Sequence, residues 1–114
     1  MNVILYHNPR CSKSRQTLAL LHKNGVQPEI IEYLKTPPDF EKLKDLLAKL
    51  GLEPKNIVRP AEAKEAGIDH LVGDSLLAAL AENPAALQRP IAVCGDRAVI
   101  GRPPENVLTL LSSQ

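Results

Sequence analysis

Residues 3–33 read VILYHNPRCSKSRQTLALLHKNGVQPEIIEY, and the order of patterns in this stretch decides the fold. Val3-Ile4-Leu5-Tyr6 is a short, continuously apolar run, the signature of a strand covered on both faces. His7 to Ser14 is polar and interrupted by Pro9, so it is a loop. Thr17, Leu18, Leu20 and Leu21 then form a helical stripe that stops at Asn24-Gly25, a C-terminal cap signal. Ile30-Ile31-Glu32-Tyr33 is the next strand. Strand, helix and strand in this order make a βαβ unit, which implies parallel pairing and a right-handed crossover.

Downstream, Thr36-Pro37-Pro38-Asp39 opens a second helix, with Pro38 or Asp39 near its first turn. Its apolar stripe is Phe40, Leu43, Leu46, Leu47 and Leu50, and it ends at Gly51. Residues 52–59 form a connector. Ala61 to Ala66 is a short helix closed by Gly67, and Asp74 is expected to cap a further helix through Leu76, Leu77, Leu80 and Ala81. Ile91 to Cys94, a Gly95-Asp96 turn and Ala98 to Ile100 form a hairpin. Pro103-Pro104 starts a last helix, Glu105 to Leu111, with Val107, Leu108, Leu110 and Leu111 on its buried side. The expected fold is therefore α/β and thioredoxin-like, βαβ followed by ββα. It forms a single domain over residues 1–114, with an all-helical insertion at about 39–83. Simple α/β alternation would need a third crossover strand, which the middle of the chain does not supply.

Composition narrows the function. A chain of 114 residues, 44% hydrophobic and 24% charged, is an ordinary globular domain rather than a disordered one. One Phe, two Tyr and no Trp leave the core to aliphatic residues and offer no platform for stacking bases. A net charge of +1, with both signs interspersed, gives no nucleic-acid stripe. No apolar run approaches the ~18 residues of a membrane span, and the first residues read as structured sequence rather than a signal peptide. The two cysteines are far apart, which argues against a disulfide framework and for a cytoplasmic protein with reduced thiols.

The chemistry lies between the first strand and the first helix, at His7-Asn8-Pro9-Arg10-Cys11-Ser12-Lys13-Ser14-Arg15. A thiol at a helix N-terminus faces unpaired amides and the positive end of the helix dipole, which favour thiolate over thiol. Arg10, Lys13 and Arg15 add positive charge nearby. The same amides and guanidinium groups hold an oxyanion, so one small site supplies a nucleophile and a cradle for its target. An inert buried cysteine fits poorly among such neighbours. Ser14 stands where a dithiol motif carries its second cysteine. Cys11 therefore needs an external resolving thiol, or else Cys94. From the sequence, Ser14 either bonds the thiolate or caps the helix, and His7 either tunes the thiolate or supports the loop.

Arg59-Pro60, Arg89-Pro90 and Arg102-Pro103 are the second unusual feature. Random placement of six arginines and ten prolines in this length gives fewer than one Arg-Pro pair, and three are present. Proline restricts the residue before it to extended conformations, so each arginine is held on a stiffened loop. The bond before Pro90 is expected to be cis and close to the Cys11 loop. Converging guanidinium forks suit an anion with several oxygens. Cys11, Cys94, His7, His22 and His70 show no paired ligand spacing, so no metal is expected. No Gly-rich phosphate loop points to a bound nucleotide. Cys94, in the apolar run Ile91 to Cys94, reads as core.

These motifs resemble the glutaredoxin-linked arsenate reductases, in a short branch without a C-terminal tail. The resemblance rests on Tyr6 to Arg15, Glu32-Tyr33-Leu34, Thr36-Pro37-Pro38, Gln88-Arg89-Pro90-Ile91 and Ile100 to Glu105, in the family's order over nearly the whole chain. It implies that Cys11 attacks arsenate and that glutathione, as co-substrate, forms an adduct with the bound arsenic. Glutaredoxin then removes the oxidised thiol and arsenite leaves. It also implies that Arg59, Arg89 and Arg102 bind the oxyanion, with His7, Ser14 and Arg15 in support and no bound cofactor or metal. No nucleic acid or membrane partner is expected. The competing readings are a thiol reductase for another small oxidised substrate, and a redox-responsive Spx-type regulator that binds RNA polymerase. Many Spx-type proteins carry a second cysteine where this chain has Ser14.

Overall fold

The computed structural model describes residues 2–112. The order of elements is β1 (Val3–His7), α1 (Ser12–Lys23), β2 (Glu29–Glu32), α2 (Phe40–Leu50), α3 (Pro60–Ala66), α4 (Gly73–Glu82), β3 (Ile91–Cys94), β4 (Arg97–Ile100) and α5 (Leu108–Ser112). Short 3-10 turns at Pro54–Ile57, Pro84–Ala86 and Pro104–Val107 link them. The chain divides into two compact units, an α/β unit up to Tyr33 and from Arg89 onward, and a helical unit Leu34–Gln88. No helix among the described residues is long and apolar enough to cross a membrane.

The α/β unit is built on a four-stranded sheet in the order β2-β1-β3-β4. β1 pairs parallel with β2, as the βαβ pattern requires, and antiparallel with β3, which turns through Gly95-Asp96 into β4. This mixed sheet, parallel in its first half and antiparallel in its second, is the thioredoxin-like arrangement expected from the sequence. Val3, Leu5 and Ala92 on the sheet, Leu21 on α1 and Val107 and Leu110 near the end of the chain form one buried cluster. Alternation along β1 explains the choice, because residues two apart share a face. Burying such aliphatic side chains contributes about 1.5–3 kcal/mol each. The closing helix departs slightly from the expected Glu105–Leu111. Its first turn, Pro104–Val107, is 3-10, and the α-helix starts at Leu108.

In the helical unit, α2 follows its sequence signals closely. The Asp39 carboxylate accepts a hydrogen bond from the Lys42 amide at 2.8 Å, and the helix ends where Gly51 turns left-handed. Leu43, Leu46 and Leu47 are buried along α2, as are Leu76, Leu77 and Leu80 along α4, and the two helices pack together. Asp74 does not cap α4. Gly73 takes φ +57°, which glycine adopts without a Cβ penalty, and the helix begins there, two residues earlier than a cap at Asp74 would place it. Asp74 therefore lies in the first turn, with its carboxylate 3.8 Å from Lys44 Nζ. No strand forms between β2 and β3. The segment's one ladder-like contact is the antiparallel bridge Val58–Leu87, flanked by Arg59 N–H to Ala86 O (2.7 Å) and Gln88 N–H to Ile57 O (2.8 Å).

Candidate active site

Cys11 is the N-cap residue of α1, with an extended backbone (φ −94°, ψ 124°), and only 9% of it is exposed. The fold puts it there because β1 ends at His7 and the loop turns tightly, with the Cys11 amide donating to Asn8 O at 3.0 Å. The sulfur makes no hydrogen bond of ordinary cap geometry. The first-turn amides act on it electrostatically instead. Burial pushes the thiol pKa up, but the Ser14 amide, the Arg89 guanidinium and the Lys13 amide outweigh it and hold the thiol below its ordinary range.

Two of the three expected arginines share this site. Arg102 Nη2 points at Cys11 Sγ across 3.8 Å, and Arg102 Nε donates to the backbone carbonyl of Arg89 at 2.8 Å. The two guanidinium groups that face the sulfur are thus tied together. The Arg89-Pro90 bond is cis, as the sequence led one to expect, and so is Arg102-Pro103. Arg59 lies in the helical unit, at the N-terminus of α3, where its Nε stands 3.2 Å from Glu62 Oε2.

The supporting residues sort differently from the options open in the sequence. The Ser14 hydroxyl neither bonds the sulfur nor caps α1. It is fully buried, lies 2.6 Å from His7 Nδ1 and accepts from the Asn8 amide at 3.0 Å. Ser14 serves Cys11 through its backbone amide, while its side chain locks the loop to His7. Arg15 donates from Nη1 to Pro9 O at 2.9 Å and braces the loop. Among the described residues, no group of three His, Cys, Asp or Glu side chains gathers as a metal site.

His7 is itself buried, and burial lowers its pKa. Glu32 opposes that shift and Arg15 adds to it. A histidine lowered in the folded state binds fewer protons there than when unfolded. Its contribution to stability is complete above its ordinary pKa of about 6.5 and is lost as pH falls below that value. His7→Asn keeps an acceptor near the Nδ1 position and removes the titration. We expect wild-type urea midpoints to drop more steeply than those of His7→Asn between pH 7 and pH 5.5; parallel pH slopes would contradict this.

Cys94 cannot resolve Cys11 in this fold. It pairs with Val3 at the start of β1, whereas Cys11 lies beyond His7 and beside Arg89, at the other end of the sheet. The four residue steps from Val3 to His7 alone advance about 13 Å, while a disulfide needs Cα atoms within about 7 Å. Cys94 instead packs, partly buried, against the Val3–Leu5–Leu21 cluster.

Comparison with known proteins identifies the family. Residues 6–110 match the ArsC family. A protein named arsenate reductase from Neisseria meningitidis serogroup A is 46% identical over 112 residues, covering 94% of this chain and 96% of the relative. Another of that name, from Haemophilus influenzae, is 43% identical and covers 97% of this chain and 100% of its own length. A solved structure of arsenate reductase from Vibrio cholerae superposes with a TM-score of 0.87 at 47% identity, covering 96% of this chain and 97% of that one. With a family model matched over residues 6–110 and relatives 43–47% identical over almost the full length, the chain belongs to the ArsC family.

Proposed function

We propose that the protein is an arsenate reductase that works through Cys11 and takes its electrons from glutathione and glutaredoxin. The observation that carries this reading is the buried Cys11 sulfur, its thiol pKa lowered by first-turn amides and Arg89, with the Arg102 guanidinium 3.8 Å away. A nucleophile and two cations in one place suit attack on a tetrahedral oxyanion. The thiolate displaces an arsenate oxygen, which leaves as water once protonated, and a glutathione thiol condenses with the arsenic and releases a second water. A glutaredoxin thiol then removes glutathione as a mixed disulfide, two electrons pass to As(V), and hydrolysis releases arsenite and Cys11.

The distance between the two cysteines supports an external thiol, because the chain has no other cysteine to close an internal disulfide. Arg59 is proposed as a third oxyanion ligand on the strength of its place in the family pattern. A cytoplasmic setting belongs to the same reading, since the cycle needs a reduced thiol pool. The test is arsenite formation from arsenate with glutathione and glutaredoxin as the only reductants. Turnover that requires both is expected. If none occurs although Cys11 alkylates rapidly near neutral pH, the thiol chemistry stands and the substrate assignment fails. Retention of RNA polymerase without turnover would favour the regulator instead.

A further inference from the structure

The six glycines of the chain are of two kinds. Gly25, Gly51, Gly67, Gly73 and Gly95 all have positive φ, and a Cβ on any of them would meet nothing within 4 Å. Gly101 is the reverse. Its backbone is not left-handed, but a Cβ there would lie 2.5 Å from Thr17 Oγ1, 2.9 Å from Pro90 Cγ and 3.3 Å from Thr17 Cγ2. Glycine is needed at this position for close approach rather than for conformation.

None of these neighbours yields cheaply. Thr17 is fully buried in α1, and its hydroxyl donates to Lys13 O at 2.9 Å, in the turn that carries the Cys11 site. Pro90 is buried, and its carbonyl accepts from the Gly101 amide at 2.9 Å. Gly101 thus sits where three elements meet, and each carries one member of the site: α1 has Cys11 at its start, Arg89 precedes β3, and Arg102 follows β4.

We propose that Gly101 is a positioning residue of the Cys11 site, whose missing side chain lets the chain leaving β4 close on Thr17 and Pro90 and so seats Arg102 on the Cys11 sulfur and the Arg89 carbonyl. The inference rests on reading Cys11, Arg89 and Arg102 as the reactive site. A methyl group at 101 must open the contact by roughly an ångström, since relaxed heavy-atom contacts lie near 3.5 Å. Arg102 is the next residue, and both of its contacts depend on distance and angle.

The test is Gly101→Ala, read by the Cys11 thiol pKa (pH dependence of thiolate absorbance and of iodoacetamide alkylation) and by kcat and KM for arsenate. We expect a raised thiol pKa and a KM for arsenate raised about tenfold, the loss of one charge-assisted contact. In an Arg102→Ala background the same substitution is expected to shift the thiol no further, because its effect passes through Arg102. Thr17→Ala removes Oγ1 and Cγ2 and is expected to restore part of both quantities to Gly101→Ala. A folded Gly101→Ala with unchanged thiol pKa and KM overturns the proposal, as does a shift that persists undiminished without Arg102. If Gly101→Ala does not fold, Gly101→Ala/Thr17→Ala against Thr17→Ala carries the comparison, and equal thiol pKa values or failure of the double variant to fold overturn it. An ordinary thiol pKa in the wild type would instead sink the reading of Cys11 itself.

Discussion

Cys11→Ser is expected to lower kcat/KM for arsenate at least about a thousandfold, the scale of losing the nucleophile in covalent catalysis, with the fold retained. Serine is among the best N-cap residues, so the α1 terminus tolerates the exchange. The hydroxyl, however, does not ionise near neutral pH. The Ser14 and Lys13 amides and the Arg89 guanidinium then face a neutral group that they cannot turn into a nucleophile. Cys94 cannot substitute, because it lies at the opposite end of the sheet, packed against the core cluster. Arsenite production measured beside far-ultraviolet circular dichroism checks both halves. Activity within tenfold of wild type in a folded variant would move the nucleophile elsewhere. In the wild type, the alkylation rate of Cys11 is expected to rise with pH through a midpoint below that of an ordinary thiol, because the amides and Arg89 outweigh burial.

Much of the fold was legible because its signals are local. The apolar runs at β1 and β3, the Asp39 and Gly51 ends of α2, and the Gly95-Asp96 turn each announce an element within a few residues. Where the reading slipped, the deciding contact lay outside the pattern. Asp74 looks like a cap, but the left-handed turn of Gly73 starts α4 first, and nothing in the apolar spacing reports that turn. The 3-10 turn at Pro54–Ile57 has no hydrophobic period to reveal it.

The site divides the same way. Cys11 stood out by its charged neighbours, and Arg89 and Arg102 by the prolines that follow them. Their meeting was not visible, since Arg102 and Cys11 are 91 residues apart and no periodicity links them. The partner of the Ser14 hydroxyl was equally hidden, because His7 is reached only once the loop closes. Gly101 offered one faint signal, its position immediately before an Arg-Pro pair.

Arg89→Ala is expected to reduce kcat/KM for arsenate by about a hundred- to a thousandfold, the usual cost of removing a preorganised oxyanion donor, and to raise the Cys11 thiol pKa. Both effects come from one guanidinium, which favours the thiolate by hydrogen bonding and by charge and so stands beside the sulfur that arsenate must approach. The substitution is local. Arg102 bonds the backbone carbonyl of residue 89, not its side chain, so the second guanidinium keeps its seat. Arg89→Lys separates the two contributions, since an ammonium supplies charge without the planar fork. It is expected to restore most of the lowering of the thiol pKa and little of the arsenate affinity. Thiolate absorbance against pH reads the first quantity, and KM for arsenate the second. If Arg89→Ala loses arsenate turnover with an unchanged thiol pKa, Arg89 binds the anion alone. If both remain at wild-type values, Arg102 and the first-turn amides suffice without it, and the site is smaller than proposed.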